Sequence, residues 1–311
     1  MELTVRILPE LELSDPFMIA ASHWTANERC FRALAPYSPS AVTLKTTSTL
    51  HGGDGTGILH ERDRRKLEDS FGHNFALYTN GPKTQELIDL PTTINLIQCA
   101  RRWLSNTKIG LSVLSGENYV ELADALPVDK CNYVELNLKY QFRSLTIKEL
   151  NEALNNLNRD IKSFFAAFSG IPTLVKLPRE FTAIIPVTDL TRVFYLIAGA
   201  SAGVIVANSK RVIVPPSRTS GNDIRELSSG VLVGEHLFLD TYNTIRTLKR
   251  QCENMGFELA VIASGGIMDI GATIDVMAAG AAAVQLCTVL DVRKPPYLSV
   301  LRAEFGPGVH F

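Results

Sequence analysis

Two lysines end segments of the chain that are otherwise apolar. Lys45 follows "AVTL" and Lys176 follows "TLV", so each side chain emerges where a buried strand would finish. A lysine ammonium group is costly to bury unless it meets an anion or strong hydrogen-bond acceptors. Amide side chains stand in similar places, with Asn137 after "VEL" and Asn208 after "VIVA". These residue types indicate binding of an anionic or electron-poor ligand; an internal ion pair with a residue such as Glu135 is the alternative.

A second group of residues suits the binding of a phosphate. "ASGGI" places Gly265 and Gly266 after one apolar segment, and "QLCTV" places Cys287 and Thr288 after the next. Backbone N–H groups at such positions bind phosphate in many barrel proteins, and glycine allows the oxygens a close approach. The alternative is an ordinary tight turn. Without a G-x-G-x-x-G motif after the first apolar segment or an H-E-x-x-H motif, neither a Rossmann dinucleotide site nor a catalytic metal is predicted.

The composition narrows the class of protein. With 46% hydrophobic and 20% charged residues, the 311-residue chain can bury a large core, and its formal net charge of −1 gives no basic surface for nucleic acid or a membrane. No apolar run reaches the roughly 18–20 residues that span a bilayer. The five cysteines are scattered, which argues against a disulfide framework, a structural zinc site or an iron–sulfur cluster. We expect a cytoplasmic protein that acts on a small-molecule substrate; a homodimer is compatible with the sequence.

Short apolar segments and helical patterns alternate along the chain. Eight apolar segments predict strands buried on both faces, at 16–22, 41–47, 108–115, 132–138, 173–178, 203–209, 259–266 and 282–290. Helical periodicity lies between several of them, at 85–105, 146–168, 188–199, 237–255 and 270–279. This order predicts an α/β fold, a single (β/α)8 TIM barrel domain over residues 1–311, with an open doubly wound sheet as the alternative. The mixed-charge run "HERDRRKLEDS" is interpreted as a solvated loop or helix face.

The ends of the predicted strands together favour one kind of cofactor. In a (β/α)8 barrel the loops after the strands meet at one mouth, where the chemistry takes place. A phosphate site, two lysines and two asparagines at that mouth suit a phosphorylated, electron-poor, planar group. A positive charge beside the N1–C2=O edge of a flavin stabilises its reduced anion. We therefore predict that the chain binds flavin mononucleotide (FMN); a sugar-phosphate substrate is the alternative.

Several segments, taken in order, resemble the dihydroorotate dehydrogenase family. They are "PFMIAAS", "VTLKTTS", "VELNL", "LVKLP", "VIVANS", "SGGI" and "AGAAAVQLCTVL", and they extend over nearly the whole chain. Each segment alone is a weak signal, whereas their combination in this order is specific. The resemblance implies an FMN-dependent oxidoreductase of pyrimidine metabolism that acts on a carbon–carbon bond. The chain is similar to the soluble, single-subunit type of the family.

The resemblance also implies roles for individual residues. Lys45 would contact both the flavin and the substrate in catalysis, and Lys176 would lie beside N1 and O2 of the flavin ring. Further contacts with the cofactor are implied for Ala21, Ser22, Thr46, Asn137, Asn208, Ser209, Gly230, Gly265, Gly266, Cys287 and Thr288. Further contacts with the substrate are implied for Asn137, Lys139, Asn208 and Ser209.

The chain departs from the family pattern where the substrate would bind. The family's catalytic-base loop, "NLSCPN", reads "NLKYQF" here, so Lys139 and Tyr140 replace the serine and the base. The orotate loop has become "ALYTNGPK". Cys287 stands where glycine is usual, which is compatible with phosphate binding if its side chain points away. The segments that would bind the cofactor thus agree with the family pattern, and those that would bind the substrate differ from it.

Tyr140 is the candidate for acid–base chemistry. A phenol with an ordinary pKa near 10 is a poor base at neutral pH but a usable acid, which favours reduction of an activated alkene. The alternative is that Tyr140 fills a vacated pocket. Three functions stay open: an oxidoreductase for another small, pyrimidine-like substrate, a genuine dihydroorotate dehydrogenase with an unusual base, and a flavin-binding protein without turnover.

Overall fold

The computed structural model describes residues 4–49, 64–68, 74–79, 87–138, 146–179, 181, 185, 187–207, 210–214 and 228–306. The strands of this part, in chain order, are β1 (Val5–Leu8), β2 (Leu11–Leu13), β3 (Phe17–Ile19), β4 (Ala41–Thr43), β5 (Arg64–Glu68), β6 (Asn74–Thr79), β7 (Lys108–Leu114), β8 (Tyr133–Asn137), β9 (Thr173–Lys176), β10 (Gly203–Val206), β11 (Lys210–Val214), β12 (Ser228–Gly234), β13 (Val261–Ser264) and β14 (Ala283–Leu286). The helices are α1 (Glu28–Leu34), α2 (Leu90–Trp103), α3 (Tyr119–Ala125), α4 (Ile147–Ala167), α5 (Val187–Gly199), α6 (Phe238–Met255), α7 (Ile270–Ala278), α8 (Thr288–Arg293) and α9 (Tyr297–Phe305).

Eight of the strands form a closed parallel barrel. Its order is β3, β4, β7, β8, β9, β10, β13 and β14, and β14 pairs with β3 to complete the circle. Each barrel strand lies within one of the eight predicted apolar segments, and helices occupy the connections. The prediction of a (β/α)8 barrel is therefore confirmed, and the open sheet is wrong. Among the helices of the described residues, none combines the length and the hydropathy of a membrane span.

The amino-terminal hairpin β1–β2 closes one end of the barrel. Its buried side chains Leu11 and Leu13 belong to one apolar cluster with inward-facing residues of the barrel strands, among them Tyr133. The Tyr133 ring lies directly over Gly110 on the neighbouring strand, where an added Cβ would come within 2.1 Å of the ring. Since this end is filled with apolar side chains, polar chemistry is left to the opposite end, where the parallel strands finish.

A four-stranded antiparallel sheet was not predicted from the sequence. Its order is β11, β12, β6 and β5, and it is built from the connections that follow β4 and β10. These two strands are four positions apart in the eight-stranded barrel, so their connections meet across the carboxyl end. Within "HERDRRKLEDS", residues Arg64–Glu68 form β5, and the interpretation as a loop or helix face was wrong there. Pairing with a distant strand decides the conformation of such a segment, and its composition does not reveal the pairing.

Candidate functional site

Most of the predicted site residues lie at the carboxyl ends of the barrel strands. Those in the described part of the chain are Ala21 and Ser22 after β3, Lys45 and Thr46 after β4, Asn137 at the end of β8, Lys176 at the end of β9, Gly265 and Gly266 after β13, and Cys287 and Thr288 after β14. Gly230 lies in β12 of the outer sheet, opposite Val212 and Thr79. The predictions for Lys139, Tyr140, Asn208 and Ser209 fall outside the described residues.

Lys176 belongs to a buried polar layer inside the barrel. Its side chain points inward, and only 5% of the residue is exposed. The Nζ atom donates a hydrogen bond of 3.0 Å to Oε1 of Gln285 and lies 4.0 Å from Oε1 of Glu135. Gln285 in turn donates to Oε2 of Glu135 at 3.0 Å, and Glu135 is completely buried. The ion pair with Glu135, the alternative to ligand binding, is thus present, and the carboxylate fixes the ammonium group near the mouth.

A series of hydrogen bonds connects Asn137, at the mouth of the barrel, to the buried polar layer around Lys176. The Ser112 hydroxyl donates to Oε1 of Glu135 at 2.9 Å, which uses its only hydrogen. It must therefore accept the hydrogen bond of 3.1 Å that joins it to Thr46. Thr46 in turn accepts a hydrogen bond of 3.1 Å from Nδ2 of Asn137. This series orients the Asn137 amide by contacts that end on the Glu135 carboxylate.

The segment that carries Lys45 is held by neighbouring loops. The Lys45 amide donates to the carbonyl of Thr25 at 3.2 Å. Farther along, Glu117 accepts hydrogen bonds from the Ser48 hydroxyl and from the Thr49 amide, the latter at 2.8 Å. Lys45 itself is only partly buried. The backbone is thereby fixed on both sides of a lysine that reaches the mouth.

The Cys287 thiol brings several predicted residues together. It hydrogen bonds with the Ser22 side chain, and it lies near enough to Lys45 and Lys176 for both ammonium groups to lower its pKa. Burial of the thiol, followed by the negative charge of Asp291, outweighs these effects and raises the pKa of Cys287 to about 11. Cys287 is therefore a neutral thiol at physiological pH. The ends of β3, β4, β9 and β14 meet around it.

Asp291 connects the loop after β3 with the helix after β14. Its Oδ1 atom lies 2.6 Å from Nε2 of His23 and accepts a hydrogen bond of 3.0 Å from Nε1 of Trp24. Donor atoms of His23, Cys287 and Asp291 lie within 4.8 Å of one another, a geometry that can hold a metal ion. No local pattern in the sequence indicates this group, because His23 and Asp291 are 268 positions apart. The direct contact between the His23 imidazole and the Asp291 carboxylate is enough to explain why these groups lie together.

The two glycines after β13 form a turn that other residues could not adopt. Gly265 has φ +103° and Gly266 has φ +84°, both in the left-handed region. A Cβ atom on Gly265 would lie 2.2 Å from Nη2 of Arg179, and one on Gly266 would lie 2.2 Å from the backbone nitrogen of Phe238. The turn is therefore packed against Arg179 and the start of α6, which fixes the direction of its peptide groups.

This arrangement agrees with a comparison between the chain and known protein families. Residues 93–305, more than half of the chain, match the family model described as dihydroorotate dehydrogenase. The chain belongs to the dihydroorotate dehydrogenase family. No match was found among the curated proteins. Membership of the dihydroorotate dehydrogenase family indicates an oxidoreductase, and members of the family are typically flavoenzymes.

Besides Asp291, three more buried residues in the described part of this dihydroorotate dehydrogenase-like site stand out as not predicted from the sequence. They are Gln285, Arg179 and Thr241, all less than 10% exposed. Gln285 occupies an inward position of β14 two residues before Cys287, and strand alternation is a signal that could have identified it. Arg179 and Thr241 lie outside the barrel strands, and their proximity to Gly265 depends on how distant segments pack.

We expect the Cys287 thiol to react slowly with alkylating reagents near neutral pH. With a pKa of about 11, its thiolate fraction at pH 8 should be about 100-fold below that of an ordinary cysteine. Iodoacetamide labelling, followed by mass spectrometry of the peptide, should give a rate that still increases between pH 8 and pH 10.

Asp291→Asn is the matched variant for this experiment. It removes the negative neighbour and should increase the labelling rate in part, because burial is the larger cause of the raised pKa. A labelling rate that reaches a plateau below pH 9 in the parent protein would contradict the assignment.

Proposed function

We propose that the chain is an FMN-dependent oxidoreductase that acts on a CH–CH or C=C bond of a small, pyrimidine-like substrate other than dihydroorotate. The observation that carries the proposal is the placement of Lys176. Its ammonium group is buried at the carboxyl end of the barrel, between Gln285 and Glu135. A fixed cation at this place suits the pyrimidine edge of a flavin, which becomes negatively charged on reduction.

The residues after β13 and β14 fit the phosphate of FMN. The glycine turn at Gly265 and Gly266 is packed against Arg179 and the start of α6, and its backbone N–H groups are proposed to bind the phosphate. Cys287 adds no negative charge there, because its thiol is neutral. Its thiol hydrogen bonds with Ser22 and lies near Lys45 and Lys176, and the backbone N–H groups of Cys287 and Thr288 are the groups proposed to bind the phosphate.

The other residues of the mouth would bind the ring system and the substrate. When bound, FMN would supply a hydride acceptor or donor for the carbon–carbon bond. Asn137, oriented by Thr46, would present its amide to both ligands, and Lys45 would add a second positive charge. Contacts from Ala21, Thr46, Asn208, Ser209 and Gly230 to the cofactor, and from Lys139, Asn208 and Ser209 to the substrate, are part of the same proposal.

The departure at "NLKYQF" favours a substrate other than dihydroorotate. The family pattern has its catalytic base where this chain has Tyr140, and a phenol is better suited to donate a proton than to accept one at neutral pH. We therefore propose that Tyr140 protonates the substrate in the reductive direction. A genuine dihydroorotate dehydrogenase with an unusual base and a flavin-binding protein without turnover are the competing functions.

A flavin-reduction experiment distinguishes these functions. Protein loaded with FMN would be mixed anaerobically with dihydroorotate, and the chemically reduced protein would be mixed with a panel of pyrimidines and enones. We expect no bleaching of the visible flavin absorbance by dihydroorotate, and reoxidation by at least one compound of the panel. Rapid bleaching by dihydroorotate would identify the genuine dehydrogenase. Reoxidation by none of the compounds would favour binding without turnover.

We expect substitutions of Lys176 and Glu135 to change the midpoint potential of the bound flavin in opposite directions. Lys176→Met removes the cation and should lower the two-electron midpoint potential by about 30–60 mV, equivalent to about 1.4–2.8 kcal/mol. Glu135→Gln removes the neutralising carboxylate, which lies 4.0 Å from the ammonium group, and should raise the potential. The measurement is an anaerobic redox titration of the FMN-loaded proteins.

Lys108→Met serves as the control for this pair. Lys108 is the first residue of β7 and lies at the opposite end of the barrel, so its loss should leave the potential unchanged. The double variant Lys176→Met/Glu135→Gln avoids an unpaired buried carboxylate and should return the potential toward that of the parent. Potentials that move in the same direction in both single variants would count against the electrostatic role of Lys176.

A further inference from the structure

Arg179 occupies a buried position behind the glycine turn after β13. The residue is 7% exposed and follows Lys176 by three positions. Its Nη2 atom donates to the carbonyl of Ser264 at 3.1 Å, and its Nη1 atom donates to Oγ1 of Thr241 at 3.0 Å. Longer contacts reach the carbonyls of Ala207 and Leu237. The guanidinium group therefore joins the end of β9 to the ends of β10 and β13.

Thr241 holds the next carbonyl of the same turn. It is completely buried on α6, and Oγ1 lies 2.8 Å from the carbonyl oxygen of Gly265. Because the hydroxyl accepts a hydrogen bond from Arg179, its single hydrogen is available for the Gly265 carbonyl. Arg179 and Thr241 thus bind two successive carbonyls, those of Ser264 and Gly265.

The direction of two amides follows from these contacts. In a trans peptide group the C=O of one residue and the N–H of the next point in opposite directions. The Ser264 carbonyl also accepts a hydrogen bond of 2.9 Å from the amide of Ala207, so it faces β10. The N–H of Gly265 then faces the other neighbour of β13, which is β14. The Gly266 N–H likewise points away from Thr241.

The guanidinium group also fixes a positive charge directly behind the turn. Nη2 of Arg179 lies 2.2 Å from the position that a Cβ atom of Gly265 would occupy, so the group is in contact with the glycine backbone. Arginine stays protonated at all relevant pH values. A positive charge at this place favours a dianionic group on the β14 side over a neutral one.

We propose that Arg179 and Thr241 are positioning residues that make this site specific for a phosphate monoester. They aim the amide of Gly265 toward β14 and that of Gly266 away from Thr241, and Arg179 adds a positive charge behind the turn. The inference rests on the proposed function, and its consequence is that the chain binds FMN much more tightly than riboflavin, which lacks the phosphate.

The test compares the affinities of apoprotein variants for FMN and for riboflavin. Arg179→Gln should raise the Kd for FMN by about 10- to 100-fold and change the Kd for riboflavin by less than about threefold. Thr241→Val keeps the shape of the side chain and should shift the same ratio in the same direction. Arg179→Lys should restore part of the FMN affinity, because it restores the charge. Quenching of flavin fluorescence gives both Kd values.

Arg302→Gln is the matched control. Arg302 is a partly buried arginine that donates to Oδ2 of Asp15 at 2.6 Å and to the carbonyl of Ser38 at 2.7 Å, residues that precede β3 and β4. Its loss should reduce stability and leave the ratio of the two Kd values unchanged.

The outcomes separate this inference from the proposed function. If FMN and riboflavin lose affinity equally in both Arg179→Gln and Thr241→Val, the two residues only support the fold and the inference is wrong. If Arg179→Gln does not fold, an unchanged Kd ratio in Thr241→Val also overturns the inference. A parent protein that binds neither flavin would overturn the proposed function itself.

Discussion

The site depends on the burial of one ammonium group inside a closed barrel. Burying an unpaired charge in protein costs several kcal/mol, so Lys176 requires partners of opposite or strongly polar character. Glu135 and Gln285 provide them from β8 and β14, and Ser112 binds the same carboxylate from β7. Four strands of the barrel are thereby tied to one charge. The position of the cation follows from the closure of the barrel, and not from a flexible loop.

The closure of the barrel fixes the residues that stand on its strand ends. The polar layer, the glycine turn and Cys287 all stand on strand ends or directly after them, where the sheet fixes the backbone. The residues in which the chain departs from the family pattern include those that come after β8 in the sequence, the segment "ALYTNGPK" and Cys287. We propose that cofactor binding is retained in this chain while the choice of substrate differs.

The barrel could be predicted from the sequence because each of its strands is apolar on both faces and lies between helical patterns. Lys176 and Asn137 could also be placed at strand ends, since strand position follows from the local pattern. The outer antiparallel sheet could not be predicted, because in it β6 pairs with β12 more than 150 positions away along the chain. For the same reason Arg179 and Thr241 were missed. Their contacts with Ser264 and Gly265 join residues from separate segments, and no local pattern records such contacts.

A crystal structure of the protein with FMN bound would test the central claim most directly. We predict one FMN per chain at the carboxyl end of the barrel. Its phosphate should contact the amides of Gly265 and Gly266 and those of Cys287 and Thr288, and the pyrimidine edge of the ring should lie beside Nζ of Lys176. A flavin bound elsewhere, or with its ring remote from Lys176 while the fold is unchanged, would contradict the claim.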